Sequence, residues 1–175
     1  MAHRTALRIA LALAALAAFG AGALRRAEPR TAYVQWAGHD SKVLHESYQL
    51  IRDEPAWRAL WESRAGKSEY RNFAPKIDFT QCCIAAFFRG PSNNEDGEIL
   101  QSITTEPDRV VLRFVPSTFQ TASFNGEDHG INTVPFGIWV IPATDKPVVV
   151  EEGRMRLGLK AEEIVYKEVH RFEAR

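Results

Sequence analysis

Residues 82–88 read Cys82-Cys83-Ile84-Ala85-Ala86-Phe87-Phe88, an apolar run of strand length that ends at Arg89-Gly90. Consecutive side chains of a strand point to opposite faces, so a run with no polar alternation has to be covered on both. Gly90 suits the exit because it tolerates a positive φ. Just upstream, Ile77 and Phe79 flank Asp78 with a period of two, and Asp78, placed after the turn residue Pro75, can cap local backbone N–H groups. Cys82 and Cys83 point apart, and a bond between neighbours would distort the peptide. The run therefore predicts no disulfide within the chain and at least one thiol buried as an apolar side chain. A redox or metal-binding pair would call for Cys-x-x-Cys spacing and a nearby His.

A cover for one face stands before the run. Asp53 is a good N-cap, and Pro55 falls in the first turn, where its missing N–H costs nothing. Trp57, Leu60, Trp61 and Arg64 then share one face, and Gly66 stands where a helix stops, which predicts an amphipathic helix over 53–64. Two tryptophans one turn apart could stack a ligand. Aromatics at helical spacing are far more often core, and this pair is read as core.

Around these two segments lie short strand-like stretches. Residues 31–37 read as an edge strand, and 45–51 as a strand carrying Tyr48, Leu50 and Ile51. Downstream, 98–105, 109–115, 136–141 and 148–150 have strand content between turns at 90–97, 106–108 and 142–146. That spacing favours an antiparallel sheet over parallel strand–helix–strand units. Residues 116–133 form a long polar segment holding Phe119 and Phe124, and periodicity leaves 161–172 open between helix and strand. The expected fold is α+β: a single domain over 48–172, with an antiparallel sheet of about six or seven strands and the 53–64 helix packed on it.

The 175 residues carry 22 basic and 22 acidic side chains, a formal charge of zero. Residues 1–23 distort that balance. Arg4 and Arg8 precede an apolar stretch from Ile9 to Phe19, and Ala21-Gly22-Ala23 supplies the small residues of a cleavage site, the pattern of a signal peptide. No Cys follows for lipidation, and no arginine pair precedes for a twin-arginine route. Arg25 and Arg26 just beyond the cut leave a single-span anchor as the alternative, although the apolar run falls short of the roughly 20 residues that cross a bilayer. Without the leader the chain is slightly acidic, with 24–47 as a tether and possible edge strand. Such a balance argues against a nucleic-acid partner, and after cleavage against a membrane one. An extracytoplasmic location, periplasmic or secreted, is expected.

Signatures of catalysis are missing: no Gly-x-Ser-x-Gly elbow, phosphate loop, His-Glu-x-x-His or dinucleotide fingerprint occurs. His39, His45, His129 and His170 are not paired at metal-ligand spacing. Asn93-Asn94-Glu95-Asp96-Gly97-Glu98 offers oxygen ligands, but its register is wrong for a calcium loop, and a hairpin turn is the simpler reading. Glu127-Asp128-His129 is the best local cluster of titratable groups, a carboxylate able to tune a neighbouring base. No catalytic set, metal or cofactor is expected.

The order of motifs resembles the PrcB-like C-terminal domain family, named for an accessory subunit of an exported bacterial protease complex. Glu54, Trp57, Leu60 and Trp61 are similar to its "eeW..lW" helix, and Pro75-Lys76-Ile77-Asp78-Phe79 to its "P.vDF" turn. Phe87-Phe88-Arg89-Gly90 resembles its strand-then-Gly ending. Asn132-Thr133-Val134-Pro135-Phe136 with Ile138-Trp139-Val140-Ile141-Pro142 resembles its "t.PY..v.iP" strand, and residues 166–172 its closing "W.E..rf", which tilts the tail toward strand. After Gly90 the family has a Gly-Gly-Tyr-like segment, where this chain has 93–98. The resemblance implies a scaffold without a catalytic set. It points to an exported, non-enzymatic domain that binds and stabilises a partner protein, a protease being one candidate. The contact residues expected are Asn93, Asn94, Glu95, Phe119, Phe124 and His129, on the loops 90–97 and 116–133. The alternative is a small extracytoplasmic enzyme or ligand-binding domain using Glu127-Asp128-His129. The sequence leaves the oligomeric state open.

Overall fold

The computed structural model describes residues 33–63, 74–121, 130–156 and 163–175. They contain ten strands and one helix, in a compact unit running from Tyr33 to Arg175. The apolar run is strand β3 (Cys82–Phe88), and it is central. It pairs antiparallel with β2 (Ser47–Ile51) on one side and with β8 (Phe136–Pro142) on the other. β8 in turn pairs with β1 (Gln35–Gly38), so the first sheet has the order β1-β8-β3-β2, all antiparallel.

The two faces of β3 meet two different covers. Ile84, Ala86 and Phe88 face Trp57, Leu60 and Trp61 of helix α1 (Glu54–Ser63), together with Ile51, Phe136 and Ile138. Cys83, Ala85 and Phe87 face a second sheet across a core of Leu100, Val110, Leu112, Phe114, Trp139, Ile141, Val148 and Val150. That sheet has the order β10-β9-β6-β5, from β5 (Glu95–Thr105), β6 (Val110–Thr118), β9 (Val148–Arg156) and β10 (Glu163–Phe172). A two-stranded ribbon of β4 (Ser92–Asn93) and β7 (Asn132–Thr133) completes the strands.

The expectation of one antiparallel sheet of six or seven strands is thus corrected. The described strands fall in three sheets, and the second is mixed, because β6 and β9 run parallel from Val110↔Val148 to Phe114↔Glu152. Parallel neighbours need a crossover, which is usually a helix. Here the chain between them passes through β8 in the other sheet, so no helix-length spacing betrays the parallel pair. The segment 90–97, expected as a turn-rich loop, holds β4 and the start of β5, and the open question at the tail resolves as strand β10.

Helix α1 forms for the reasons its sequence offers. Asp53 Oδ1 accepts the Ala56 N–H at 2.8 Å, and Glu54 pairs with Arg58 one turn on at 2.7 Å. The expected stop at Gly66 lies outside the described residues. At 10 residues the helix is too short to persist alone, so it depends on its apolar face. Trp57 and Trp61 are 5.0 Å apart, Trp36 of β1 packs against both, and Trp57 Nε1 donates to Pro75 O at 2.8 Å. The tryptophans are core. Asp78 Oδ1 accepts the Thr80 N–H and hydroxyl, while its carbonyl receives Gln81 and Cys82 N–H, a turn that feeds directly into β3. Among the described residues no helix is long and apolar enough to cross a membrane.

Phe88, fully buried between β3 and the helix, should cost about 3–5 kcal/mol on replacement by Ala, and the cap variant Asp53→Ala about 1 kcal/mol. Denaturant unfolding of both variants measures the difference. Equal effects would mean that the helix is not held by the sheet face.

Candidate functional site

At the end of β3 the inward-facing row continues past Phe87 into a charge. Arg89 is two residues on, so it lies on the same side, above the rim of the inter-sheet core. Two other rows end the same way: Leu100 is preceded by Glu98 on β5, and Val150 is followed by Glu152 on β9. The three charges meet. Arg89 Nε donates to Glu98 Oε1 at 2.6 Å, Nη2 donates to Glu152 Oε1 at 3.2 Å, and Glu95 Oε2 lies 2.9 Å from Nε as an ion pair. The guanidinium also stacks over Phe87, 5.2 Å from the ring centre.

Three carboxylates share this buried cation, and of them Glu152 also reaches the exposed Arg154 at 3.4 Å, so they cannot all be satisfied by Arg89. Glu98 has no exposed side-chain surface, and its Oε2 is buried without a hydrogen-bond partner. Burial therefore pushes its carboxyl above the usual range, against the pull of Arg89 and with the repulsion of Glu95 and Glu152 added. The carboxylates hold Arg89 firmly protonated despite its own burial. Tyr48, stacked on Phe87 at 4.4 Å, is pushed up by burial and by the nearby glutamates. On its other side His170 stacks at 4.5 Å, and burial lowers that imidazole.

The segment 93–98 is anchored residue by residue to the surrounding framework. Asn93 pairs with Asn132 in the β4–β7 ribbon and keeps its side chain exposed. Asn94 adopts φ 57°, a conformation Asn tolerates better than most residues. Its N–H donates to Ile131 O at 3.0 Å, its Oδ1 accepts Ile131 N–H at 2.7 Å, and its carbonyl accepts Phe119 N–H at 2.9 Å. Glu95 turns inward to Arg89, and Asp96 pairs with His39 at 2.5 Å on the surface. Gly97 has φ 121° and packs so close that a Cβ would stand 2.6 Å from Gly38 N, which excludes any side chain.

Of the contact residues expected from sequence, Asn93, Asn94 and Phe119 gather at this one end, joined by Ile131, which is 52% exposed and was not singled out. Glu95 belongs to the charge cluster beneath rather than to the surface. Phe124 and His129 lie outside the described residues, as do Glu127 and Asp128. Among the described residues no three His, Cys, Asp or Glu side chains are grouped to hold a metal ion. The Arg89 cluster itself was missed, yet its signal is in the sequence. Arg89, Glu98 and Glu152 each stand two positions from a buried apolar residue, on the face that strand alternation assigns to the core.

Because the Glu98 carboxyl is raised, its contribution to stability is full below the unfolded-state value and lost as pH rises through the folded one. The stability of the native chain relative to Glu98→Gln, neutral at every pH, should therefore fall as pH rises above the ordinary carboxylate range. Denaturation across a pH series reads this, and a flat or rising difference would sink it. Arg89→Leu, which leaves the carboxylates without their cation, should cost about 3–5 kcal/mol in the same assay at neutral pH.

A scan against protein-family models matches none, and searches of curated proteins and of solved structures return no match.

Proposed function

We propose that this chain is an exported, non-enzymatic interaction domain that binds and stabilises a partner protein, with an exported protease as the first partner to test. The observation that carries this reading is the end of the fold where Asn93, Asn94, Phe119 and Ile131 converge. An exposed Ile beside an exposed Asn and a half-buried Phe combines an apolar anchor with an exposed amide, the mixture that protein contacts use. The Asn94 hydrogen bonds fix the backbone of this patch, and the Arg89 cluster holds the strand beneath it. A surface set in advance loses little entropy on binding.

Two further features support the reading. The order of helix, turn and strand motifs resembles a family named for a protease-complex accessory subunit, and residues 1–23 have the pattern of an export signal. The charges of the Arg89 cluster face one another rather than an open cleft, which suits a scaffold better than a catalyst.

Mature chain used as bait in an envelope extract of the producing cell, with and without crosslinking, should retain a defined partner. Ile131→Glu combined with Asn93→Ala should reduce retention at least tenfold, while Arg58→Ala on the exposed face of the helix should not. Recovery of nothing above background, or equal recovery by all three, would overturn the proposal.

A further inference from the structure

The Arg89 junction is one hydrogen atom short. An arginine Nε carries a single N–H, and two carboxylate oxygens meet it here, Glu98 Oε1 at 2.6 Å and Glu95 Oε2 at 2.9 Å. Glu98 takes the hydrogen bond, and Glu95 is left with the ion pair alone. Glu152 has both oxygens engaged, Oε1 by Arg89 and Oε2 by Arg154. Two buried acceptors of the cluster remain without a donor, Glu95 Oε2 and Glu98 Oε2. They belong to the two carboxylates that crowd the same N–H. Buried acceptors left unpaired are expensive, and one proton would serve both.

The charge count asks for the same proton. Arg89 and Arg154 offset Glu95 and Glu152, and an ionised Glu98 is the anion in excess. The other elements packed around Glu98 bring no charge to it. Tyr48 of β2, whose phenol is pushed up, stays neutral. β6 sets Pro116 opposite it, and β8 brings Gly137 and Trp139, whose Nε1 donates to the Glu98 carbonyl at 3.3 Å. β1 brings Ala37 and Gly38 against the adjoining Gly97. On the surface side the segment carries the His39–Asp96 pair, next to Glu95. Burial already favours the uncharged Glu98 carboxyl and acts in the same direction as the count.

We propose that Glu98 carries a proton on Oε2 and donates it to Glu95 Oε2, and that this proton latches residues 93–96 onto the rim of the inter-sheet core. A hydroxyl bonded to a carboxylate is charge-assisted and strong for that reason. The bond gives each orphan oxygen a partner and holds Glu95 turned inward. Gly97 is pinned against Gly38, and the β5–β6 register shifts between Glu95 and Gly97, so the chain has a pivot directly beside the latch. When Glu98 loses the proton, two anions compete for one N–H, and Glu95, the less buried of them, turns toward water. Asn93 and Asn94 move with it. The partner surface is therefore set below the pH at which Glu98 ionises and loosened above it. That last step rests on the partner-binding reading, and the latch itself does not.

The free chain tests the latch without a partner, so its failure is a separate result from failure of the bait experiment, which is read at a single pH. With isotope-labelled glutamate, the Glu98 carboxyl carbon should titrate above the ordinary carboxylate range. Glu95→Gln, which removes the repelling anion, should move that midpoint down. Amide hydrogen exchange, corrected for the intrinsic rate, should show protection of Asn94, Phe119 and Ile131 falling through the same midpoint, about tenfold further than that of Leu112, which reports global opening. Glu98→Gln keeps a donor in place of the proton and should hold this local protection constant with pH. His39 is present in every variant, so a transition belonging to the His39–Asp96 pair would persist in Glu98→Gln. If Glu98→Gln does not fold, the carbon titration and its response to Glu95→Gln decide. A Glu98 carbon titrating at or below the ordinary range, local protection flat with pH in the native chain, or the same fall in Glu98→Gln would each overturn the proposal.

Discussion

A strand that is apolar on both sides cannot lie at a surface, and β3 forces the rest of this molecule into layers. Every side chain from Cys83 to Phe88 is buried, and each large one gains on the order of 1.5–3 kcal/mol only if its own face is covered. Helix α1 satisfies one face with three side chains, Trp57, Leu60 and Trp61. It is one helix wide and can do nothing for the other face, so a second sheet is required there. β8 shares the demand: Phe136 and Ile138 pack toward the helix, while Trp139 and Ile141 pack toward the second sheet. Two adjacent strands buried on both sides make a three-layer arrangement the economical outcome.

The inter-sheet core has to end somewhere, and its ends are where charge enters. At the Arg89 end the apolar rows of β3, β5 and β9 each terminate in an ionisable residue, and the three meet over Phe87. Such a buried cluster is a poor source of net stability, since desolvation offsets most of its attraction. Its consequence is geometric. Arg89 ties the exit of the first sheet to two strands of the second, so the sheets cannot slide past each other without parting charges in a water-poor environment. The same constraint fixes the start of β5, and with it the segment 93–98.

Much of this was legible in the sequence, and the limits have physical reasons. The apolar run, the Asp53 cap, the tryptophan pair as core and the Asp78 turn are local features, and each is where its residues place it. The number of sheets is not local. Period-two alternation says that a strand has a buried face, but not which layer buries it, and a crossover routed through another sheet looks like an ordinary succession of strands. The candidate site divides along the same line. Asn93, in a turn-rich stretch, is exposed, and Asn94 and Phe119 sit half-buried beside it, whereas Glu95, equally polar, is drawn inward by an arginine six positions earlier. Whether a loop carboxylate faces water depends on an unpaired cation nearby in space, which no local pattern reports.

The two ends of β3 therefore pose one physical question with two answers. A guanidinium at the rim of an apolar core needs acceptors, because its donors have been taken from water. At Arg89 the chain supplies them in excess, and the excess lifts Glu98 toward its neutral form. The outcome is a closed junction under a surface patch, in which Glu98 Oε2 keeps no hydrogen-bond partner. At Arg52 the nearby strand ends supply no acceptor for Nε or Nη2, and both nitrogens stay buried and unpaired.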